Sequence, residues 1–337
     1  MQAIVLTEYG GPEVLRTAQV EDPIPGPADI LVAVEASAVN RADVLQRRGA
    51  YPPPSPRPPA EIPGLEFSGS VVAVGSAVTR VAVGDAVLGL LPGGGYAERI
   101  ATPERMVLPV PPGFTFAEAA ALPEAFFTAY DALQQVRLAM GDTVLIHAGA
   151  SGVGTSAVQI AHHLGARVLA TCSASKVARV QALGADAVLD YRAGSVLDFV
   201  RRETGGQGVQ AILDFVGADN LSLNIDALAV GGRLIVIGTL SGGVAPINLS
   251  HLMAKRASVT GTALRSRPPE EKMALTQAVG RHLWPFWADG RIRPVMDRVF
   301  PLAEAADAHR RMEANENVGK IGLAIGPRAL ERPESGR

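Results

Sequence analysis

The sequence has little of several residue types, and each scarcity excludes a class of protein. Its 337 residues include one cysteine, Cys172, which excludes an intrachain disulfide, an iron–sulfur cluster and a zinc site built from cysteines. No run of about 18 apolar residues occurs, and Met1 is not followed by a basic segment and an apolar core. These absences predict a soluble, cytoplasmic protein without a membrane span or a secretory leader.

Charge of either sign is also limited. Lysine and arginine total 31 against 33 aspartates and glutamates, which gives a formal net charge of -2. A protein that binds nucleic acid or an anionic membrane through a broad surface needs a basic excess, so neither partner is expected. Apolar residues make up 47% of the chain, enough to predict an ordered core rather than disorder.

The pattern of apolar runs predicts two domains. Up to residue 122 the runs are short, often alternating and broken by glycine and proline, which predicts a β-rich domain. Across 123–265 short apolar strands alternate with helical stretches, the pattern of a doubly wound parallel sheet. A final amphipathic stretch and a short strand follow, and we expect the tail, about 266–337, to complete the first domain. The fold class is therefore α/β.

A proline-rich segment interrupts the first domain. Seven prolines lie between Pro52 and Pro63, and so many residues without a backbone N–H predict a stiff surface loop. The sequence leaves two interpretations open, a linker or a cover over a ligand site.

A glycine-rich turn is the strongest functional motif. Thr143–Ile146 read as a buried strand, and the turn that follows leads into a helix with an apolar stripe. Glycines at this place reverse the chain, admit a pyrophosphate and let the helix pack closely, while the helix N-terminus offers free N–H groups. The turn therefore predicts that a dinucleotide is bound by Gly149, Ser151, Gly152, Val153 and Gly154. His147 is expected among the cofactor-site residues, packed behind the turn.

The end of the next strand bears on which dinucleotide is bound. NAD sites usually carry an acidic residue there for the ribose 2′-hydroxyl, whereas this strand ends in Cys172 and Ser173. Lys176 and Tyr191 follow nearby and suit a 2′-phosphate, so NADPH is favoured. The alternative is that Lys176 is an ordinary solvated helix residue.

Six long or unusual segments point to a family: Asn40–Tyr51, Gly64–Glu66, Leu91–Gly95, Pro123–Ala125, Ile146–Thr155 and Met312–Ile321. Together they resemble the zinc-free quinone oxidoreductases of the medium-chain dehydrogenase/reductase superfamily, over nearly the whole chain. The branch of tumour-suppressor-inducible NADPH quinone oxidoreductases is the most similar, and zeta-crystallin is more distant. The resemblance implies a GroES-like β domain, a Rossmann domain and an active cleft between them. It also implies a homodimer joined through the Rossmann sheet edge, here Ser258–Arg265.

The resemblance also bears on metal. Zinc-dependent members of the superfamily place a cysteine three residues before an aspartate, and a histidine between glycine and glutamate. In this chain Asn40 precedes Asp43, and Leu65 lies between Gly64 and Glu66. Neither an amide nor a leucine replaces a thiolate or an imidazole as a zinc ligand, so no metal is expected.

The resemblance assigns roles to particular residues. Asn40 and Tyr51 are implied as the catalytic residues, because an amide and a phenol can hydrogen-bond a carbonyl and the phenol ring can stack on a quinone. Asp43 and Glu66 are implied to hold Asn40 rather than to act as an acid/base pair. The further implied cofactor contacts are Thr128, Val216, Gly238, Thr239, Leu240, Leu264, Arg265, Ser266, Asn317 and Lys320.

The expected activity is metal-free reduction of a quinone by NADPH, through hydride or electron transfer. Two alternatives stay open: an NADPH-dependent reductase of α,β-unsaturated carbonyls, and a non-catalytic NADPH-binding redox sensor. The sequence leaves open which quinone is used, whether one or two electrons move, and whether a protein acid donates a proton.

Overall fold

A computed structural model describes residues 1–51 and 61–333. Most of the proline-rich segment, and with it the expected surface loop, lies outside the described residues. No helix within these ranges is long and apolar enough to cross a bilayer.

The described residues form strands and helices along the whole chain. The strands are β1 Gln2–Leu6, β2 Leu15–Gln19, β3 Asp29–Val39, β4 Glu66–Val74, β5 Ala86–Leu90, β6 Arg99–Pro103, β7 Val107–Pro109, β8 Thr143–Ile146, β9 Arg167–Cys172, β10 Ala187–Asp190, β11 Val209–Asp214, β12 Leu228–Val236, β13 Ser258–Gly261, β14 Met296–Pro301 and β15 Lys320–Ala324. The α-helices are α1 Arg41–Arg47, α2 Phe116–Ala120, α3 Pro123–Gln135, α4 Gly152–His163, α5 Val177–Ala182, α6 Val196–Glu203, α7 Leu221–Ala227, α8 Leu249–Lys255, α9 Pro269–His282, α10 Trp284–Ala288 and α11 Ala305–Glu313.

The chain divides into two compact units. The first unit is Met1–Phe127 with the segment from Leu264 onward, and the second is Thr128–Ala263. The sequence instead assigned 123–127 and 264–265 to the dinucleotide-binding domain. Packing explains the difference at the first boundary, because Phe126 is buried edge-on against Trp287 of the first unit, with ring centroids 5.6 Å apart.

The first unit is built on a seven-stranded sheet in the order β14-β15-β3-β4-β5-β7, with β6 also paired to β3. Its pairs are antiparallel apart from β14 with β15. β15 pairs with the end of β3, so that Ile321 lies opposite Val39. This register brings the C-terminal segment beside the start of α1.

The second unit is a six-stranded parallel sheet in the order β10-β9-β8-β11-β12-β13. Leu145, Leu169, Ile212 and Leu234 are fully buried within it, as expected for parallel strands covered by helices. The predicted α/β fold, a GroES-like β-rich domain with a Rossmann-type parallel sheet, is confirmed.

Candidate functional site

The glycine-rich turn lies between β8 and α4 of the second unit. The Ser151 side chain caps α4, because its Oγ accepts the Gly154 N–H at 3.0 Å. The Thr155 N–H donates to the Ser151 carbonyl at 2.8 Å. Among the described residues, the N–H groups of Gly152 and Val153 have no acceptor. The turn therefore offers two adjacent free donors at the positive end of a helix dipole, which suits a phosphate.

The glycines of the turn do not themselves reverse the chain, which differs from the sequence interpretation in that one respect. Ala148, with φ 47°, adopts the left-handed conformation that reverses the chain, and none of the three glycines has a positive φ. A Cβ on Gly154 would lie 2.3 Å from the Ala148 carbonyl oxygen, and one on Gly149 would lie 3.0 Å from the Ala170 Cβ. Gly149 and Gly154 are thus required by close packing of the turn on β9 and on itself.

His147 is packed behind this turn, as the sequence predicts. Its Nε2 pairs with Asn224 Oδ1 at 2.7 Å and its Nδ1 with Thr171 Oγ1 at 3.1 Å. Burial lowers the pKa of His147. Both ring nitrogens are occupied within the second unit, so the imidazole fixes the turn rather than contacting a ligand.

The residues expected at the 2′-phosphate lie at one end of two neighbouring strands. β9 and β10 pair in parallel with Asp190 opposite Cys172, and the Tyr191 N–H donates to the Cys172 carbonyl at 3.2 Å. Ser173 and Lys176 follow β9 and are half-buried, whereas Tyr191 is exposed. This end of the sheet thus brings together a hydroxyl, an ammonium and a phenol.

Two further loops, one after β11 and one after β12, contain residues that the sequence predicts to contact the cofactor. Val216 lies after β11, where the buried Asp214 accepts its N–H at 2.8 Å and that of Gly217 at 3.2 Å. Gly238, Thr239 and Leu240 follow β12, and the Leu240 N–H points to the Phe215 carbonyl at 3.5 Å. Sequence reasoning missed Asp214, which holds both loops at the carboxyl ends of their strands. Its side chain binds the loop after β11, and its backbone carbonyl accepts the Ile237 N–H, just after β12, at 2.7 Å.

Thr128, at the start of the second unit, has a buried hydroxyl. Its Oγ1 has no hydrogen-bond partner among the described residues. A buried hydroxyl without a partner is costly in a finished protein, so this atom fits a group that only a bound ligand supplies.

In the first unit, Asn40, Glu66 and Lys320 form a buried group that we name the Glu66 cluster. Lys320 Nζ donates to Glu66 Oε1 at 2.6 Å, to Asn40 Oδ1 at 2.5 Å and to the Val39 carbonyl at 3.2 Å. With three acceptors, the ammonium of Lys320 has no hydrogen left for a cofactor. Its expected role as a cofactor contact therefore does not fit this geometry.

The expected role of Asn40 also differs from its geometry. Its Nδ2 donates to Glu66 Oε1 at 2.7 Å and to the Ala38 carbonyl at 3.3 Å. Both amide hydrogens are thus used inside the protein, and the amide has no free donor for an acceptor carbonyl. The Asp43 carboxylate accepts the Asn40 N–H at 2.8 Å, so Asp43 and Glu66 do hold Asn40.

Asp43 continues the network toward α11. Tyr96 donates its hydroxyl hydrogen to Asp43 Oδ2 at 3.1 Å, and the Tyr96 oxygen lies 3.2 Å from His309 Nε2. Gly64 N–H donates to Asp43 Oδ1 at 3.1 Å. Burial raises the pKa of Asp43 to about 6 and lowers that of His309 to about 3. These groups are fully buried and support the site from behind.

Tyr51 and Arg265 lie together at the other side of the first unit's site. The Arg265 guanidinium carbon lies 4.9 Å from the centre of the Tyr51 ring, a cation–π contact. Arg265 also donates to the Tyr51 carbonyl at 3.1 Å, to the Pro92 carbonyl at 2.8 Å and to Gln46 Oε1 at 2.8 Å. These bonds place Arg265 in the first unit and hold Tyr51, and its predicted contact with a cofactor stays a prediction.

The remaining predicted contacts lie at separate places in the first unit. Leu264 is buried and Ser266 is exposed, on either side of Arg265. Asn317 donates its amide to the Gly319 carbonyl at 2.8 Å, within the turn before β15.

Sequence reasoning missed Glu124 as an ionisable group of this site. Its backbone N–H donates to Glu66 Oε2 at 2.7 Å, and its side chain is half-buried. Burial, followed by the charge of Glu66, raises the pKa of Glu124 to about 8. The available signal was a single acidic residue in the apolar run from Ala119 to Phe127.

The described residues contain no group of three or more His, Cys, Asp or Glu side chains arranged to hold a metal ion.

Comparison with known proteins places both units in recognised families. Residues 26–112 match the alcohol dehydrogenase GroES-like domain, and residues 152–279 match the zinc-binding dehydrogenase domain. The quinone oxidoreductase of Pseudomonas aeruginosa is 35% identical over 327 residues, which cover 95% of this chain and 98% of that protein. The crystal structure of Escherichia coli quinone oxidoreductase complexed with NADPH is similar, with a TM-score of 0.86 and 28% identity over 96% of this chain and all (100%) of that one. A crystal structure of an NAD-dependent alcohol dehydrogenase also reaches a TM-score of 0.86, at 34% identity over 97% of this chain and 100% of that one.

Proposed function

The chain belongs to the quinone oxidoreductases of the medium-chain dehydrogenase/reductase superfamily, and from this premise we propose how its residues serve NADPH-dependent reduction of quinones. The second unit binds the dinucleotide and the first unit binds the acceptor. NADPH, when bound, supplies the hydride, and the protein orients the reactants and excludes water.

The observation that carries this proposal is the glycine-rich turn with its two unused N–H groups, at Gly152 and Val153. Free donors at a helix N-terminus after a parallel strand suit the pyrophosphate of a dinucleotide. The partnerless hydroxyl of Thr128 gives independent support, because a polar group of the nicotinamide end could satisfy it.

Selection of NADPH over NADH is proposed to depend on Ser173, Lys176 and Tyr191. No carboxylate ends β9 or begins the segment after it, so the acidic residue that usually selects a ribose 2′-hydroxyl is absent from that strand end. The half-buried Lys176 supplies the cation for a charged hydrogen bond.

The acceptor is proposed to stack on Tyr51. The Arg265 guanidinium holds this ring in place, and the phenol ring offers a flat face for stacking with a planar carbonyl compound. Asn40 acts as a positioning residue in this proposal, because its amide hydrogens are given to Glu66 and Ala38.

We also propose that the protein forms a homodimer through β13. This strand ends the parallel sheet, and all four of its residues, Ser258–Gly261, are exposed. An exposed edge strand offers unpaired backbone groups to a second copy. Sedimentation equilibrium gives the oligomeric state directly. The cytoplasmic location stays a prediction from the sequence.

Consumption of NADPH with three acceptor sets tests the function. We expect ortho- and para-quinones to oxidise NADPH rapidly, 2-alkenals more slowly, and NADH to be a poorer donor than NADPH. Extensive dialysis against a chelator is expected to leave the quinone rate unchanged, since no metal ligands are present at the positions that zinc enzymes use. Tight NADPH binding without turnover of any acceptor would instead favour the redox sensor.

A further inference from the structure

Glu124 differs from the other two carboxyl groups of the first unit's site in what its oxygens contact. Glu66 accepts hydrogen bonds from Lys320, from Asn40 and from the Glu124 backbone. Asp43 accepts from two backbone N–H groups and from a tyrosine hydroxyl. The Glu124 carboxyl accepts no hydrogen bond within the described part of the chain, and Glu124 alone of the three residues is not completely buried.

Of the three carboxyl groups, only that of Glu124 can lose its proton without giving up a hydrogen bond to the described residues. Glu66 and Asp43 are completely buried, with their oxygens already occupied, so a proton leaving either one has no path that keeps those hydrogen bonds. Glu124 lies at the first turn of α3, fixed through its own N–H to Glu66. Its backbone is thus anchored, while its carboxyl has no hydrogen bond to break.

Charged groups face Glu124 from several elements. Glu66 on β4 and Asp43 on α1 disfavour its ionised form, and so does burial, which is the largest cause of its raised pKa of about 8. Lys320 on β15 and Arg265 favour the ionised form. At neutral pH the carboxyl therefore holds its proton, and two cations stand near the carboxylate that would form on its release.

Two more groups connect Glu124 with the proposed acceptor site. The negative charge of Glu124 raises the pKa of the Tyr51 phenol, after burial, which shows that the two side chains lie within electrostatic range. Lys272 on α9 is buried, donates to the Arg265 carbonyl at 2.9 Å and also interacts with the charge of Glu124. Glu124 therefore lies in the same neighbourhood as the ring proposed to stack on the acceptor.

We propose that Glu124 is the acid that protonates the reduced acceptor, an inference that rests on the proposed function. Reduction of a quinone to a hydroquinone takes one hydride, from NADPH as it becomes NADP⁺, and one proton. The O–H bond of the Glu124 carboxyl breaks as the second O–H bond of the hydroquinone forms. The resulting carboxylate takes its next proton from water, so atoms and charges balance.

The test is the pH profile of quinone reduction at saturating NADPH in the wild type and in Glu124→Gln, Glu124→Asp and Glu13→Gln. Glu13 is an exposed carboxylate of the same unit and serves as the matched control. We expect Glu124→Gln to lower kcat about a hundredfold at pH 7, the lower end of general-acid effects. The ratio of wild-type to variant rates should fall as the pH rises above about 8, where the wild-type carboxyl ionises. Glu124→Asp should recover part of the rate, and Glu13→Gln should match the wild type.

Each outcome decides one claim. A ratio that stays constant from pH 6 to pH 9.5, or a Glu124→Gln rate equal to the wild type, overturns the role of Glu124 while leaving quinone reduction intact. A wild-type protein that reduces no quinone overturns the proposed function and this inference with it. Infrared titration of wild type against Glu124→Gln adds a measurement independent of turnover: loss of a protonated-carboxyl band that titrates near pH 8 supports the proposal. Absence of that band at pH 7 overturns it.

Discussion

The two units bury polar groups in opposite ways. The first unit buries many charged side chains: Glu35, Asp43, Arg47, Glu61, Glu66, Arg265, Lys272 and Lys320. In the second unit, as far as the structure describes it, Asp214 is the only buried Asp, Glu, Lys or Arg. The first unit thus has buried charged side chains at its site, whereas the phosphate-binding turn of the second unit relies on backbone N–H groups.

The difference follows from what each unit is proposed to bind. A pyrophosphate is recognised by N–H groups that a tight turn and a helix N-terminus already provide, so the parallel sheet behind it can stay apolar. An uncharged acceptor has no phosphate charge for such N–H groups to bind, so orienting it requires side chains at fixed positions. Burying those side chains is tolerable only where charges are paired and hydrogen-bonded, as in the Glu66 cluster.

The largest expected effect comes from breaking the buried ion pair. Lys320→Met leaves the Glu66 carboxylate buried without a cation, and we expect the free energy of unfolding to fall by about 3–5 kcal/mol. The double variant Glu66→Gln/Lys320→Met removes both charges and should be more stable than the single variant. Urea unfolding measures the free energy of unfolding of the single and the double variant. A single variant as stable as the wild type would mean that the pair contributes no more than a surface ion pair.

The corresponding prediction for the second unit disrupts the glycine-rich turn through packing rather than through charge. Gly154→Ala places a methyl group against the Ala148 carbonyl, so the turn must shift, at a cost of about 1–3 kcal/mol. We expect weaker NADPH binding in an isothermal titration. The matched control is Gly243→Ala, because a Cβ there meets nothing within 4 Å. Equal NADPH affinity in the two variants would contradict the role of the turn.

Cofactor choice is the next expected effect. Lys176→Ala removes a cation from the 2′-phosphate and should weaken NADPH binding by about 1–3 kcal/mol while barely changing NADH binding. Arg201→Ala, which removes an exposed cation elsewhere in the same unit, provides the control. Equal losses for both cofactors would show that Lys176 contacts something other than the 2′-phosphate.

The smallest expected effect is a pH dependence in the first unit. The pKa of His309 is about 3 in the folded protein against an ordinary value of 6.5, so below pH 6.5 the unfolded chain binds a proton that the folded chain does not. The free energy of unfolding therefore loses up to about 1.4 kcal/mol per pH unit as the pH falls through this window.

The variant His309→Gln removes this dependence. Asp43, with a raised pKa of about 6, acts in the opposite direction in both proteins, so it cancels in the comparison. We expect the stability difference between wild type and His309→Gln to shrink by about 0.7 kcal/mol from pH 7 to pH 6 in urea unfolding. A difference that is constant with pH would mean that His309 titrates normally when folded.

Sequence predicted the fold and the cofactor turn because both depend on local patterns. Strand and helix periodicity identified the parallel sheet, and the spacing of glycines after β8 located the turn. The resemblance implied that Asp43 and Glu66 hold Asn40, but not that Lys320, 280 residues away, donates to the Asn40 side chain. Nor did it single out Glu124, because a carboxyl's pKa depends on tertiary burial and on charges from distant segments.

The most direct measurement of the central claim, that the two units divide cofactor and acceptor binding, compares Lys176→Ala with Tyr51→Ala. The Kd for NADPH and the KM for a quinone at saturating NADPH are determined for each variant. We expect Lys176→Ala to raise only the Kd for NADPH, and Tyr51→Ala to raise only the KM for the quinone, because stacking stabilises ground and transition states alike. If Tyr51→Ala weakened NADPH binding, or left quinone kinetics unchanged, the proposed division between the units would be wrong.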